Sequence, residues 1–145
     1  MIKVFFGEFR HNIDAKGRLS IPAKMRNQCG ETVYVTRGNE GCLSVYNEEG
    51  WAEYYKNLEK LSQKKKDSRT YLRLVASRVS ECEFDKLGRI NIPGVLRSHS
   101  NLEKECVVVG VGDHMEIWNQ KAWDDFYDEN NDRFDELSEG LDEEE

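Results

Sequence analysis

The sequence predicts an α+β fold in which two copies of one unit form a pseudo-symmetric pair, a dimer fused into a single chain. Three observations predict it. A thirteen-residue segment, "DAKGRLSIPAKMR" from Asp14, returns as "DKLGRINIPGVLR" from Asp85. Runs with apolar residues at every second position alternate with segments where they fall at helical spacing. At 145 residues and 38% hydrophobic, the chain suits one domain, or two small halves sharing a core.

The duplication is detailed. Six of the thirteen positions are identical: Asp14/Asp85, Gly17/Gly88, Arg18/Arg89, Ile21/Ile92, Pro22/Pro93 and Arg26/Arg97. The chain has only two prolines, and they occupy the same place in each copy. With one residue inserted, "GCLSVYNEEGWAEYY" matches "DHMEIWNQKAWDDFY", pairing Tyr46 with Trp118, Asn47 with Asn119 and Trp51 with Trp123. Internal repeats take precedence over any fold assignment, and two copies of about 55 residues do not make a solenoid. The expected divisions are residues 1–61 for the first unit, 62–80 for a helical connector, 81–127 for the second unit and 128–145 for an acidic tail.

Each element has a local reason. "EFRHNI" reads as extended. "DAKG" reads as a turn, since Asp favours its first position and Gly tolerates positive φ. "RLSI" alternates, with Leu19 and Ile21 on one face and Arg18 and Ser20 on the other; Ile90 and Ile92 repeat this against Arg89 and Asn91. Pro22 suits the first turn of a helix that Gly30 closes. "TVYVTRG" with "CLSVY", and "CVVVGVG" with "HMEIW", predict hairpins. Trp51, Tyr54, Tyr55, Leu58 and Leu61 sit at helical spacing, with the two tryptophans read as core; Trp123, Phe126 and Tyr127 repeat the pattern. A connector helix is expected over Ser68–Arg78, capped by Asp67. From Asp128 the chain turns acidic, which predicts fraying or disorder.

Charge is unevenly placed. Residues 124–145 carry twelve acids and one base, so residues 1–123 hold 20 Lys and Arg against 16 Asp and Glu, despite a net −7. The first thirty residues hold six bases and two acids, a patch able to attract a polyanion or an ordinary mixed surface. No run of about 18 apolar residues exists to span a membrane, and the N-terminal stretch has no signal-peptide cleavage pattern, which predicts a cytoplasmic protein. Cys29, Cys42, Cys82 and Cys106 form no Cys-x-x-Cys pair and lack His at zinc spacing, so they read as small core residues, with no metal or cofactor expected.

The repeated Asp-x-x-x-Arg admits two readings. Asp14 with Arg18, and Asp85 with Arg89, could simply pair across a tight turn that Gly17 and Gly88 permit. An exposed ion pair, though, contributes only about 0–1 kcal/mol and is thin reason for Arg over Lys at both sites. Alternatively, each Arg offers a planar fork of donors for phosphate or a guanine edge, with Lys16 and Lys86 beside it. A two-stranded ribbon can enter a major groove.

On these residues the sequence resembles the MraZ family of bacterial transcriptional regulators. The two motifs "DAKGR" and "DKLGR", each followed by an apolar strand and Pro, carry the resemblance together with "GEFRHNIDAKGR" and "HMEIW", over roughly residues 1–127. The resemblance implies two AbrB-like swapped-hairpin units interleaved as one barrel-like core. It implies a ring-like homo-oligomer, nucleoid-associated, that binds direct repeats in the double-stranded promoter DNA of the division and cell-wall gene cluster, including its own gene. It assigns DNA contact to Arg18, Arg89, Lys16 and Lys86, with Asp14, Asp85, Gly17 and Gly88 in support. Tyr46, Trp118 and their neighbours are candidates for packing between protomers.

Other classes fit less well. Catalysis is not expected: His11, His99 and His114 have no repeated acid or nucleophile partner, and no phosphate loop or Gly-x-Ser-x-Gly elbow is present. "GVGDHM" lacks a third glycine, so Asp113 and His114 read as a turn and no small-molecule substrate is expected. An antitoxin-like module that wraps a partner with the acidic tail is the alternative, although such proteins usually carry one short unit.

Overall fold

The computed structural model describes residues 4–61 and 63–141. The first unit runs β1 (Phe5–Asn12), β2 (Arg18–Ser20), α1 (Ala23–Arg26), β3 (Thr32–Arg37), β4 (Leu43–Tyr46) and α2 (Glu48–Leu61). Helix α3 (Lys66–Ala76) leads to the same series again: β5 (Ser80–Glu83), β6 (Arg89–Asn91), α4 (Gly94–His99), β7 (Glu105–Gly112), β8 (Met115–Asn119) and α5 (Gln120–Asn131). A last helix, α6, covers Phe134–Gly140.

The strands pair across the two units. A six-stranded antiparallel sheet has the order β1-β7-β8-β4-β3-β5, and β2 pairs with β6 in a separate ribbon. Strand β1 joins the hairpin of the second unit, from Phe5↔Gly112 to Asn12↔Glu105. Strand β5 joins the hairpin of the first, from Thr32↔Glu83 to Val35↔Ser80. Equivalent positions of the two copies face each other at Leu19↔Ile90 in the ribbon and Ser44↔Glu116 in the sheet. The sheet is open, with β1 and β5 at its edges, so the closed, barrel-like core expected above is not what these strands form. The turns after Asp14 and Asp85 carry the chain out of the sheet. Strands of three residues then pair only with each other.

Alternation decides what each face of the sheet buries. Leu19, Ile21, Ile90 and Ile92 from the ribbon side, with Met25 and Leu96, pack on Val33, Val35, Leu43, Val45, Val108, Met115 and Ile117. On the opposite face Val107, Val109, Cys42 and Trp118 form a second cluster, closed by Trp123. Helix α2 covers its half of this face by stacking Trp51 on Tyr34 at 5.7 Å; α5 covers the other half by setting Trp123 edge-on against Trp118 of β8 at 5.2 Å. Arg10 and Glu8 of β1 then fix α5: Arg10 donates to Asp124 at 2.7 Å, and Trp123 Nε1 donates to Glu8 at 2.9 Å.

Several expectations change in detail. Tyr46 and Trp118 are buried, at 6% and 4% exposure, and so cannot pack between protomers, whereas Trp51 and Trp123 are half-buried covers rather than plain core. Pro22 precedes the helix with φ −55° and ψ 140°, and α1 lasts only four residues. Helix α3 starts at Lys66, which puts Asp67 inside its first turn instead of at its cap. The segment from Asp128 is helical through α5 and α6 as far as described, because Phe134, Leu137 and Leu141 keep a helical stripe within the acidic run. Cys42, Cys82 and Cys106 are buried free thiols, and burial pushes each above its usual titration range. Among the described residues no helix is long and apolar enough to cross a membrane.

Candidate nucleic-acid interface

Each copy of the motif folds as one self-bonded turn. In the first, Gly17 N–H donates to the Asp14 carbonyl at 3.0 Å. The Asp14 carboxylate accepts the backbone N–H groups of Lys16 and Arg18 at 3.0 and 2.9 Å on Oδ1, and Arg18 Nε at 2.7 Å on Oδ2. The second repeats it: Asp85 accepts from Leu87 and Arg89 N–H at 2.9 Å each and from Arg89 Nε at 2.8 Å. A short side chain is needed to reach forward to the N–H groups two and four residues on, and an acidic one to hold the guanidinium at the same time. These bonds, led by the Arg18 and Arg89 backbone N–H groups, hold both carboxyls below the usual aspartate range. The carboxylates stay ionised at neutral pH, and each fixes its guanidinium through Nε.

The ribbon brings the two turns together. Antiparallel β2–β6 pairing sets Arg18 opposite Asn91 and Arg89 opposite Ser20, on the face away from buried Leu19 and Ile90. Arg89 Nη1 lies 4.0 Å from Asp14 Oδ2 of the other copy. The arginine side chains keep 35% and 26% exposure, and Lys16 and Lys86 are exposed in the turns. The result is one surface with two oriented guanidinium forks and two exposed ammonium groups.

Two further arginines, matched in the sequence but given no role there, belong to this surface. Gly17 has φ +87° and Gly88 φ +78°, conformations that suit glycine. A side chain at Gly17 would meet Arg97 Nε at 2.8 Å, and one at Gly88 would strike the Arg26 guanidinium. Arg26 therefore lies over the turn of the second copy, and Arg97 over the turn of the first. Backbone bonds lock the same exchange: Ile92 N–H donates to Gly17 at 2.8 Å, and Ile21 N–H to Gly88 at 3.1 Å. Arg10, counted in the N-terminal basic patch, is instead neutralised by Asp124 and Glu8. Asp113 and His114 do form the β7–β8 turn, with Val111 N–H donating to the His114 carbonyl at 3.0 Å.

The sequence profile described as "MraZ protein, putative antitoxin-like" matches residues 4–74 and again 76–143. The chain belongs to the MraZ family. It is 50% identical over 138 residues to a protein of Ligilactobacillus salivarius (strain UCC118) named Transcriptional regulator MraZ, covering 95% of this chain and 96% of that one. Proteins of the same name from Lactobacillus delbrueckii subsp. bulgaricus (strain ATCC BAA-365 / Lb-18) and Limosilactobacillus reuteri (strain DSM 20016) are 48% and 49% identical, covering 96% and 95% of this chain and 97% of each relative. MraZ is thus a family of transcriptional regulators and not of enzymes. The match reaches residue 143, so the acidic C-terminal segment, left outside the motif-based resemblance, lies within the family's extent.

Proposed function

We propose that the protein is a sequence-specific DNA-binding transcriptional regulator whose β2–β6 ribbon reads direct repeats in the promoter of the division and cell-wall gene cluster, its own gene included. One observation carries this reading: two Asp-held arginines stand side by side on a two-stranded ribbon, a shape the major groove admits. Arg18 and Arg89 contact bases or phosphates, Lys16 and Lys86 neutralise phosphates, Asp14 and Asp85 pre-orient the forks, and Gly17 and Gly88 permit the turns. The exchange of β1 and β5 between hairpins supports two interleaved AbrB-like swapped-hairpin units, residues 1–61 and 81–127, joined by the connector. One ribbon offers few contacts, so a ring-like homo-oligomer gains avidity from repeated boxes. Such a protein works in the cytoplasm at the nucleoid and needs no cofactor.

Fluorescence anisotropy against the duplex upstream of the gene tests the reading. With about four phosphates neutralised per ribbon, the log–log salt slope is expected to be about −3.6 for each ribbon engaged, and removing all but one repeat should weaken binding at least about tenfold. Equal affinity for a scrambled duplex would refute specific reading. The family description's antitoxin-like wording and the exposed Phe134 and Leu137 of α6 favour one alternative, a protein-binding module. Deleting residues 128–145 would then abolish partner capture and leave DNA binding intact.

A further inference from the structure

We propose that Leu87 is a specificity-determining residue, packing against the 5-methyl group of a thymine in the major groove and giving the ribbon a direction on its DNA box; this deepens the DNA-binding reading above and rests on it. Where the repeat is aligned, Asp14, Gly17 and Arg18 fall on Asp85, Gly88 and Arg89, but Lys16 falls on Leu87 and Ala15 on Lys86. The backbone is the same at both places. Asp14 Oδ1 accepts Lys16 N–H at 3.0 Å, and Asp85 Oδ1 accepts Leu87 N–H at 2.9 Å. Each turn closes through its glycine N–H, donated to the aspartate carbonyl at 3.0 Å. Leu87 therefore leaves its turn from the place where Lys16 leaves the other. An isobutyl group stands where the first copy has an ammonium.

An exposed leucine is by itself ordinary, but this one has a particular place. Leu87 is 71% exposed in the turn, two residues from Arg89, and the flanking Lys86 is exposed as well. The apolar side chains of the ribbon itself go inward, with Leu19, Ile21, Ile90 and Ile92 all buried. In the major groove, thymine is the base that presents a methyl group, and apolar contact is how it is told apart. Closing Leu87 over that methyl takes the apolar surface of both out of water. Lys16, at the same place in the first copy, goes to phosphate instead. A ribbon with exact two-fold symmetry would match a palindrome, as two-fold proteins do. The exchange of Lys16 for Leu87 breaks that symmetry in the turns and leaves both arginine forks intact. The box that fits is asymmetric, with thymine on the Leu87 side, and an asymmetric box has the direction that direct repeats require.

Deoxyuridine, which is thymidine without the methyl group, supplies the test. Fluorescence anisotropy is read on two duplexes of the same promoter sequence, one with thymidine and one with deoxyuridine throughout. The wild type is expected to bind the deoxyuridine duplex at least about fourfold more weakly, the factor that one buried carbon carries. Leu87→Ala is expected to bind the thymidine duplex at least as weakly as the wild type binds the other, and to bind both duplexes alike. Leu87→Met keeps the apolar reach and should retain the preference for thymidine. Leu87 is exposed, so each variant should stay folded, as circular dichroism would verify. A wild type that binds both duplexes alike overturns the proposal, and so does a folded Leu87→Ala that keeps the wild-type preference; either result leaves the DNA-binding reading standing. A wild type that binds neither duplex overturns that reading and the proposal with it.

Discussion

Replacing Arg18 and Arg89 together with alanine is expected to abolish specific promoter binding while the protein stays folded. Each guanidinium is held by its own aspartate at 2.7–2.8 Å, so its donors are oriented before DNA arrives and little ordering entropy remains to be lost on contact. A bidentate base contact is worth about 1–3 kcal/mol of discrimination. Two lost together should weaken specific binding at least about thirtyfold, measured by anisotropy against the promoter duplex at fixed salt. The single variants separate two roles. A base-reading arginine relaxes sequence preference when removed, whereas a phosphate-binding one weakens all duplexes alike and lowers the salt slope by about 1. Stability should move little, because exposed ion pairs contribute only about 0–1 kcal/mol. Wild-type affinity in the folded double variant would reduce the repeated motif to a structural turn.

The second large effect is on folding. Leu19→Ala is expected to destabilise the protein by about 2–5 kcal/mol, as for a fully buried leucine that leaves a cavity. Leu19 has no exposure, and its register partner is the equally buried Ile90 of the other copy. Both stand beneath the arginine-bearing face, so the loss falls on the element that keeps the two forks in register. A urea melt followed by circular dichroism measures it as a fall in midpoint. Ile90→Ala should behave alike, and the double variant should depart from additivity because the two residues are direct neighbours. A midpoint within experimental error of wild type would show that the ribbon is not integral to the core.

Much of this was legible in the chain because the repeat doubles every local signal. Asp14 and Asp85, Gly17 and Gly88, and the alternation of Leu19 with Ile21 and of Ile90 with Ile92 mark turn and ribbon without any tertiary information. The hairpins were legible because "TVYVTRG" and "CVVVGVG" are short β-branched runs that end at glycine and are each followed by a second such run. The exchange of strands was not. Phe5 pairs with Gly112 more than a hundred residues away, and no local periodicity states which hairpin an edge strand joins. Arg26 and Arg97 show the same limit. Their identity in both copies was visible, but only the folded chain sets each over the opposite glycine. The helical course beyond Asp128, the end of α5 and all of α6, was not legible for another reason: acidic composition around Asp132–Glu139 obscured the spacing of Phe134, Leu137 and Leu141.

The measurement closest to the central claim is lysine acetylation followed by mass spectrometry, with and without the promoter duplex. Lys16 and Lys86 sit in the two turns beside the arginines, whereas exposed Lys56, Lys60 and Lys121 lie on α2 and α5, across the sheet from the ribbon. The duplex is expected to slow acetylation of Lys16 and Lys86 while Lys56, Lys60 and Lys121 react at their free rate. Unchanged reactivity at Lys16 and Lys86, with protection of the helix lysines instead, would place the DNA on the opposite face and contradict that claim.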